Sequence, residues 1–269
     1  MKSLEITISP EYKANITVRR FIEKLPELFE AGGETLYSDR NIIKRFTLDE
    51  SDEILRNVIV KRYKYPNFFQ RIAYSFFRKT KAERAFYNAG KLRSAAISTP
   101  REIAYLKQWH RGLFGYGFFV SGADDAPPIC DRLIELDPFD RVMADDFASF
   151  AIKLHEAGIL DHDLNSTNVL YHAAGAHYHF SLIDINRIDF MPKGKTISRD
   201  DCLENLTRFT RKMDLFEYVI RCYAEKRNWD IPSTLNRAIK IKRKHDRQRK
   251  HRKAFLRALR RLCFRRRRR

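Results

Sequence analysis

Two stretches of the chain decide its fold: Leu160-Asp161-His162-Asp163-Leu164-Asn165-Ser166-Thr167-Asn168-Val169-Leu170 and Ser181-Leu182-Ile183-Asp184-Ile185-Asn186-Arg187. In the first stretch, Asp163 and Asn168 precede an apolar run, and in the second, Asp184 closes another. Phosphoryl transfer uses one carboxylate to orient the acceptor hydroxyl, and an amide with a second carboxylate to hold Mg²⁺. An Asn-rich turn between two strands is the alternative. The order and short separation of the two motifs favour phosphoryl transfer.

The spacing D-L-x-x-x-N is the catalytic-loop part of the kinase signature, and an Asp at the end of an apolar strand is its metal-binding part. Upstream, Val58-Ile59-Val60-Lys61 alternates as a strand does, and Glu83 falls in a predicted helix. A strand Lys paired with a helix Glu holds the nucleotide phosphates in kinases. The alternative is an ordinary surface pair. Because Lys61 and Glu83 precede the Asp163 loop in the order a kinase requires, the sequence favours the functional interpretation.

Composition bounds the class of protein. The 269 residues are 43% hydrophobic, which is enough for a core, and no run approaches the roughly 18 uncharged apolar residues of a membrane span. The first residues lack the apolar core of a signal peptide, which predicts a cytoplasmic protein. Four cysteines occur singly, as is typical of reduced, inert thiols rather than of a zinc site.

The positive charge is concentrated at the C-terminus. Residues 240–269 hold 17 Lys or Arg and one acid, so they carry +16 of the net +19, and the other 239 residues carry +3. A helical face is predicted in this tail from five apolar residues, Phe255, Leu256, Leu259, Leu262 and Cys263. A basic amphipathic helix predicts an anchor on the anionic inner-membrane surface. A solvated tail ranks second. Nucleic acid is not expected, because the tail lacks stacking tyrosines.

Hydrophobic periodicity predicts a small β-rich part followed by a helical part. We expect helices over residues 17–31, 80–93, 145–157 and 203–224, and strands over 34–38, 41–48, 57–65 and 115–120. A Gly/Asp/Pro stretch, residues 122–128, predicts a hinge. The expected divisions are an N-terminal extension (1–32), an N-lobe (33–122), a C-lobe (123–239) and a basic tail (240–269). Residues 63–77 are rich in aromatic side chains, which suits lobe packing or a lipid surface.

The chain resembles the lipopolysaccharide core kinases, the Kdo/heptose kinase family of Kdo/WaaP type, over residues 33–224. The resemblance rests on six segments: Val60-Lys61-Arg62-Tyr63, Lys81-Ala82-Glu83-Arg84-Ala85-Phe86, Ser98-Thr99-Pro100, Leu154-His155-Glu156-Ala157-Gly158-Ile159, Asp163-Leu164-Asn165 with Asn168, and Leu182-Ile183-Asp184. It implies a bilobal α+β protein-kinase-like fold and an ATP- and Mg²⁺-dependent transferase. The implied acceptor is a sugar hydroxyl of the lipopolysaccharide core on Kdo-lipid A, with Kdo ahead of heptose, phosphorylated by a cytoplasmic enzyme peripheral to the inner membrane.

By position, the resemblance implies that Asp163 accepts the hydroxyl proton and that Asn168 and Asp184 are Mg²⁺ ligands. Lys61 is then the phosphate clamp and Glu83 its anchor. The sequence departs from the family at three places: Asp161-His162 stands where His-Gly is common, Ile185-Asn186 follows Asp184, and the nucleotide-covering turn, residues 37–41, lacks glycine. A protein or other small-molecule kinase of the same fold, or a weak or inactive membrane-associated pseudokinase, remains the alternative.

Overall fold

The computed structural model describes residues 2–49 and 51–266, without the side chains of residues 2, 252, 253 and 255–266. The described chain forms two compact units. The N-terminal unit comprises Met1–Pro127 with Ser181–Ile188, and the C-terminal unit comprises Pro128–Phe180 with Asp189–Arg269. The apolar face predicted for Phe255 to Cys263 lies outside the described side chains.

The described strands are β1 (Lys2–Ile8), β2 (Glu34–Ser38), β3 (Ile42–Thr47), β4 (Asn57–Arg62), β5 (Glu102–His110), β6 (Leu113–Gly122), β7 (Ile159–Asp161), β8 (Val169–Ala174), β9 (His177–Leu182) and β10 (Ile188–Phe190). The described α-helices are α1 (Ile16–Glu23), α2 (Leu25–Ala31), α3 (Glu53–Arg56), α4 (Phe68–Phe76), α5 (Lys81–Ser94), α6 (Cys130–Leu133), α7 (Arg141–Glu156), α8 (Arg199–Leu206), α9 (Met213–Lys226) and α10 (Ile231–Arg266).

The N-terminal unit is built on an antiparallel six-stranded sheet with the strand order β1-β5-β6-β4-β3-β2. On β4, Val58 and Val60 are fully buried, whereas Lys61 is partly exposed. Side chains alternate across a strand, so Lys61 projects from the face opposite to these valines. The register places Lys61 opposite Ile43 of β3 and Phe119 of β6, which fixes its position in the middle of the sheet.

The first 32 residues, which the sequence set apart as an extension, belong to this sheet unit. β1 pairs with β5 as an edge strand, and Phe21, Ile22 and Phe29 of α1 and α2 join the buried core beneath the sheet. One helix was predicted over residues 17–31, but the structure has two. Pro26 lies in the first turn of α2, and a proline disfavours helical backbone in the residue before it and lacks the N–H that a continuous helix needs.

In the C-terminal unit, α7 packs against α9. The sequence predicted one helix over residues 203–224, whereas the structure has α8 and α9 separated by residues 207–212. The Thr207 hydroxyl donates to the carbonyl of Glu204, as threonine does where it competes with helical hydrogen bonding. A buried lysine holds the segment between the two helices. Lys242 Nζ donates to the carbonyls of Thr207 (3.2 Å) and Thr210 (2.7 Å).

The basic C-terminal region starts inside the folded unit. α10 begins at Ile231 and packs against both α8 and α9. Ala238 and Lys242 on α10 are fully buried. The sequence assigned residues 123–239 to the C-lobe and residues 240–269 to a separate basic tail. In the structure, α10 contributes buried side chains to the C-terminal unit as far as Lys242.

A buried hydrogen-bond network joins α7, α8 and α9. His155 Nδ1 lies 2.8 Å from the Tyr223 hydroxyl, and His155 Nε2 lies 3.1 Å from Asn205 Oδ1. The Asn205 amide then donates to the carbonyl of Asp161 (2.8 Å). Burial lowers the pKa of His155 to about 4, against a smaller opposing effect of the Asn205 hydrogen bond. His155 is therefore a neutral structural residue, and its network ends at the Asp163 loop.

We expect two C-terminal truncations to differ in stability. Removing residues 240–269 deletes Lys242 and leaves the carbonyls of Thr207 and Thr210 without their donor, and each buried unsatisfied polar group costs about 1–3 kcal/mol. Removing residues 252–269 leaves these contacts in place. Urea denaturation of both variants and the full chain should show a clear loss of unfolding free energy for the first only. Equal stability of the two truncations would contradict the role given to Lys242.

The neutral His155 predicts a loss of stability in acid. The folded-state pKa is about 4, whereas the ordinary value is 6.5, so between these pH values the unfolded state binds a proton that the folded state does not. The unfolding free energy should therefore fall as the pH decreases from about 6.5 to 4, by about 3 kcal/mol in total. Urea denaturation across this range measures it. His155→Gln should be less stable at pH 7 but show a smaller pH dependence, and an unchanged pH dependence would contradict the assignment.

Candidate active site

In the N-terminal unit, Lys61 and Asp184 form an ion pair. Lys61 Nζ on β4 lies 2.7 Å from Asp184 Oδ1, in the turn after β9. The Asn186 amide donates to the same carboxylate oxygen (2.6 Å). The side chains of Lys61 and Asp184 are 12% and 31% exposed. A carboxylate held by a cation and an amide, and still open to solvent, can take a metal ion through its oxygen atoms.

The Asp184 turn is fixed by its neighbours. Asp184 has φ of 54°, in the left-handed region, which is uncommon for residues other than glycine and clusters at functional sites. Asn88 of α5 is buried and donates to the carbonyl of Ile185 (2.7 Å). On the other side, the Thr99 hydroxyl donates to the carbonyl of Leu182 (2.7 Å). The backbone is therefore held before and after Asp184.

Glu83 has a different partner from the one predicted. Its carboxylate lies 3.1 Å from Lys107 Nζ on β5 and also forms a capping box with Thr80 at the start of α5. Lys107 also pairs with Glu5 on β1 (3.0 Å). Burial opposes the charged form of Lys107, but its hydrogen bonds to Glu5 and Glu83 raise its pKa. In this structure Lys61 pairs with Asp184 and Glu83 with Lys107, and the role of Glu83 as an anchor for Lys61 stays a prediction.

Further cationic side chains surround Lys61 and Asp184. Burial and the charge of Arg40 lower the pKa of Lys81, and the charge of Asp184 opposes them. The Lys61 ammonium also lies over the ring of Tyr63, 5.4 Å from its centroid. Arg84 Nε is buried and has no hydrogen-bond partner among the described residues. This concentration of positive charge matches the chemistry of polyphosphate binding.

In the C-terminal unit, hydrogen bonds hold the backbone of Asp163 on both sides. The side-chain amides of Asn168 (3.0 Å) and Asn165 (3.1 Å) donate to the Asp163 carbonyl. The Asp163 N–H donates to the Asp161 carboxylate (2.8 Å). Asp161 is fully buried, and this hydrogen bond gives its carboxylate a donor within the loop. Leu164 points into the core, so the loop is rigidly oriented.

The structure thus groups the predicted residues into two sets. Lys61, Glu83 and Asp184 lie in the N-terminal unit, and Asp163 and Asn168 lie in the C-terminal unit. Sequence reasoning missed several supporting residues: Asn186, Lys81, Asn88, Asn205 and Arg208. Asn186 could have been found from the sequence, because it lies two positions after Asp184. The others depend on contacts between residues far apart in the chain.

The comparisons with known proteins support the fold. No protein-family model matches the sequence, and no curated protein sequence matches it. The structure is similar to a solved structure described as "WaaP in complex with acyl carrier protein", with a TM-score of 0.58 and 15% sequence identity. The alignment covers 91% of this chain and 97% of that chain. The predicted α+β kinase-like fold is therefore confirmed, with a β-rich N-terminal part and a helical C-terminal part: the chain has the fold of WaaP.

Proposed function

We propose that the protein is an ATP- and Mg²⁺-dependent kinase that phosphorylates a sugar hydroxyl of the lipopolysaccharide inner core. The observation that carries the proposal is the Lys61–Asp184 ion pair beside a left-handed Asp184 turn. The WaaP fold over nearly the whole chain supports it. Kdo is the first candidate acceptor and heptose the second, on the family resemblance alone.

Each proposed role follows from the chemistry of a side chain. Lys61 binds the nucleotide phosphates, and Lys81 and Arg40 add positive charge near Asp184. Arg40 belongs to the glycine-free turn, so a side-chain cation supplies attraction that glycine backbone N–H groups supply in other kinases. This would compensate for the missing glycines.

The two proposed metal ligands have the chemistry that a magnesium ion prefers. Asp184 offers a partly exposed carboxylate, and Asn168, whose amide nitrogen donates to Asp163, offers its amide oxygen. Mg²⁺ prefers such oxygen ligands and, when bound, neutralises charge on the transferred phosphoryl group. Asp163 orients the acceptor hydroxyl and takes its proton, and hydrogen bonds to its backbone N–H and carbonyl hold the residue in the loop.

Two other functions remain as alternatives within the proposal. A protein or small-molecule kinase would use the same residues on another acceptor. An inactive scaffold has no chemical need to keep Lys61, Asp163, Asn168 and Asp184 together, so their presence favours an enzyme. Incubation with ATP, Mg²⁺ and Kdo-lipid A, followed by mass measurement of the lipid, distinguishes these functions.

Substitution of Asp163 should affect phosphoryl transfer, and substitution of Asp184 should affect Mg²⁺-dependent ATP binding. Asp163→Ala should lower transfer to Kdo-lipid A by about 10²–10⁴-fold, the usual contribution of general acid–base catalysis, with Mg·ATP affinity near that of the wild type. Asp184→Asn should lose the Mg²⁺-dependent part of ATP binding. Mass spectrometry measures transfer, and calorimetry with and without Mg²⁺ measures binding.

Asp214→Asn is the matched control, since Asp214 is an exposed acid on α9 outside both sets of predicted residues, and it should leave both quantities unchanged. Wild-type turnover in Asp163→Ala would refute its role as the base. Unchanged Mg·ATP affinity in Asp184→Asn would mean that Asp184 is structural.

We further propose that the protein binds an anionic membrane surface. No helix in residues 2–49 or 51–266 is long and apolar enough to cross a membrane. Four exposed phenylalanines lie on or next to α4: Phe68, Phe69, Phe76 and Phe77, with 60–81% exposure. Arg71 fastens this helix by donating to the carbonyls of Phe114 and His110. Aromatic side chains are favoured at membrane interfaces, so these phenylalanines would bind lipid through apolar contacts, in addition to the charge of the basic tail.

The basic tail and the exposed phenylalanines should contribute to vesicle binding with different salt dependence. Removing residues 252–269 deletes ten basic residues and no acid, so the truncated protein should lose the salt-sensitive part of binding to anionic vesicles. The Debye length falls from about 10 Å at 0.1 M to about 3 Å at 1 M salt. Phe69→Ser with Phe77→Ser should lose the salt-insensitive part. Vesicle sedimentation at both salt concentrations measures this.

Equal vesicle binding by all three proteins would contradict the membrane proposal. A preference of the full chain for nucleic acid over anionic lipid at matched ionic strength would replace it. Acyl carrier protein is a second partner to include, because the similar WaaP structure contains one. If the protein bound the carrier protein but not vesicles, the partner of the basic tail would be a protein rather than a membrane.

A further inference from the structure

A cavity of about 280 Å³ lies within the C-terminal unit. Its wall consists of Ile134, residues 165–167 of the Asp163 loop, residues 207–212 between α8 and α9, and Asp246 and Arg249 of α10. Four basic side chains and one acid contribute to the lining: Arg208, Arg211, Lys212, Arg249 and Asp246. The volume is near the lower end for small-molecule sites.

The one acid in the lining lies near a buried lysine and a neighbouring histidine. Asp246 Oδ2 lies 3.7 Å from the buried Lys242 Nζ, and Asp246 Oδ1 lies 3.5 Å from His245 Nδ1. Within residues 207–212, the backbone carbonyls of Thr207 and Thr210 accept hydrogen bonds from Lys242 Nζ. The negative charge of Asp246 is therefore partly neutralised within α10, and the cavity has a surplus of positive charge.

Arg208 links this cavity to the proposed catalytic loop. Its Nη1 donates to the carbonyl of His162 (3.0 Å), the residue before Asp163. Its Nε is buried and lacks a hydrogen-bond partner among the described residues. A buried donor without a partner is costly, and a guanidinium has the fork geometry that carboxylates and phosphates match.

We propose that this cavity binds an anionic group, a carboxylate or phosphate, of the acceptor molecule. The proposal rests on the kinase function given above. Asn165, which lines the cavity, donates its side-chain amide to the Asp163 carbonyl. Since Asp163 and Asn165 are two residues apart, their Cα atoms are at most about 7 Å apart, and the cavity that Asn165 lines lies next to the Asp163 loop. The bound anion then holds a neighbouring hydroxyl in place for proton removal.

The proposal distinguishes the two candidate sugars. Kdo is a sugar acid and carries a carboxylate of its own, whereas heptose is neutral. A cavity with four basic side chains favours the acid sugar or a sugar next to a phosphate. The ligand chemistry is shared by a sugar carboxylate and a lipid A phosphate, so the experiment has one arm for each.

The test compares two double variants of the full chain. Arg211→Gln with Arg249→Gln removes two charges from the cavity and leaves Arg208 and Lys242, which hold backbone carbonyls, in place. Arg221→Gln with Arg243→Gln removes two charges from exposed positions of α9 and α10 outside the cavity lining. We expect the KM for Kdo-lipid A to rise at least about tenfold in the cavity variant only, which corresponds to about 1.4 kcal/mol. The KM for ATP and the kcat should not change.

Modified acceptors identify the anion. In the wild type, a methyl ester of the Kdo carboxylate should raise the KM if the carboxylate is bound, and dephosphorylated Kdo-lipid A should raise it if a phosphate is bound. The same modification should have little effect in the cavity variant. Equal KM values in the cavity and control variants, with no effect of either modification, would overturn the proposal.

A binding measurement separates this proposal from the proposed function. Inorganic phosphate is titrated in a thermal-shift assay with the wild type and both variants. If neither the wild type nor the variants transfer phosphate to a sugar, the kinase proposal and the acceptor role of the cavity fail. Weaker binding of inorganic phosphate by the cavity variant than by the control variant would still support an anion site. Equal phosphate binding by all three proteins would exclude the anion site itself.

Discussion

The backbone around Asp161 and Asp163 is held by buried polar side chains, and the proposed chemistry depends on that constraint. Asn205 holds the Asp161 carbonyl, and the Asp161 carboxylate accepts the Asp163 N–H. His155 orients Asn205 and stays neutral because burial lowers its pKa to about 4. A charged histidine would be unfavourable at this position. The catalytic loop is thus positioned by three helices of the C-terminal unit, and its geometry follows from their packing.

Lys242 has a comparable role at the other side of this unit. It is a fully buried lysine whose ammonium satisfies two carbonyls where the chain breaks between α8 and α9. Burial lowers its pKa, and the carbonyls and Asp246 offset the desolvation of the charge. One residue of the basic region therefore stabilises the break that lines the anion-binding cavity. The basic region is divided between a structural segment and an exposed segment, although its composition is uniform.

The fold and the order of the motifs were readable from sequence because they depend on local periodicity. The strand over residues 34–38 and the helix beginning after Thr80 match the structure closely. Lys61 and Asp184 were identified as site residues, and the structure joins them. The partner of Glu83 was not readable, because Lys107 comes from a strand beside the unanticipated β1. Lys242 was also missed, since a lysine in a basic run has no sequence signal of burial.

The distribution of charge connects the catalytic and binding proposals. Outside residues 240–269 the chain carries only +3, yet cations concentrate around Asp184, and Arg208, Arg211 and Lys212 join Arg249 around the cavity beside Asn165. Local concentration in partly buried places is effective, because a low dielectric strengthens each interaction and screening is weaker there. Interactions between charges in water are weaker and more strongly screened, so a membrane contact through the basic tail needs many charges. The proposed nucleotide, acceptor and membrane are all anionic, and the cations around Asp184, around the cavity and in residues 240–269 offer attraction to each of them.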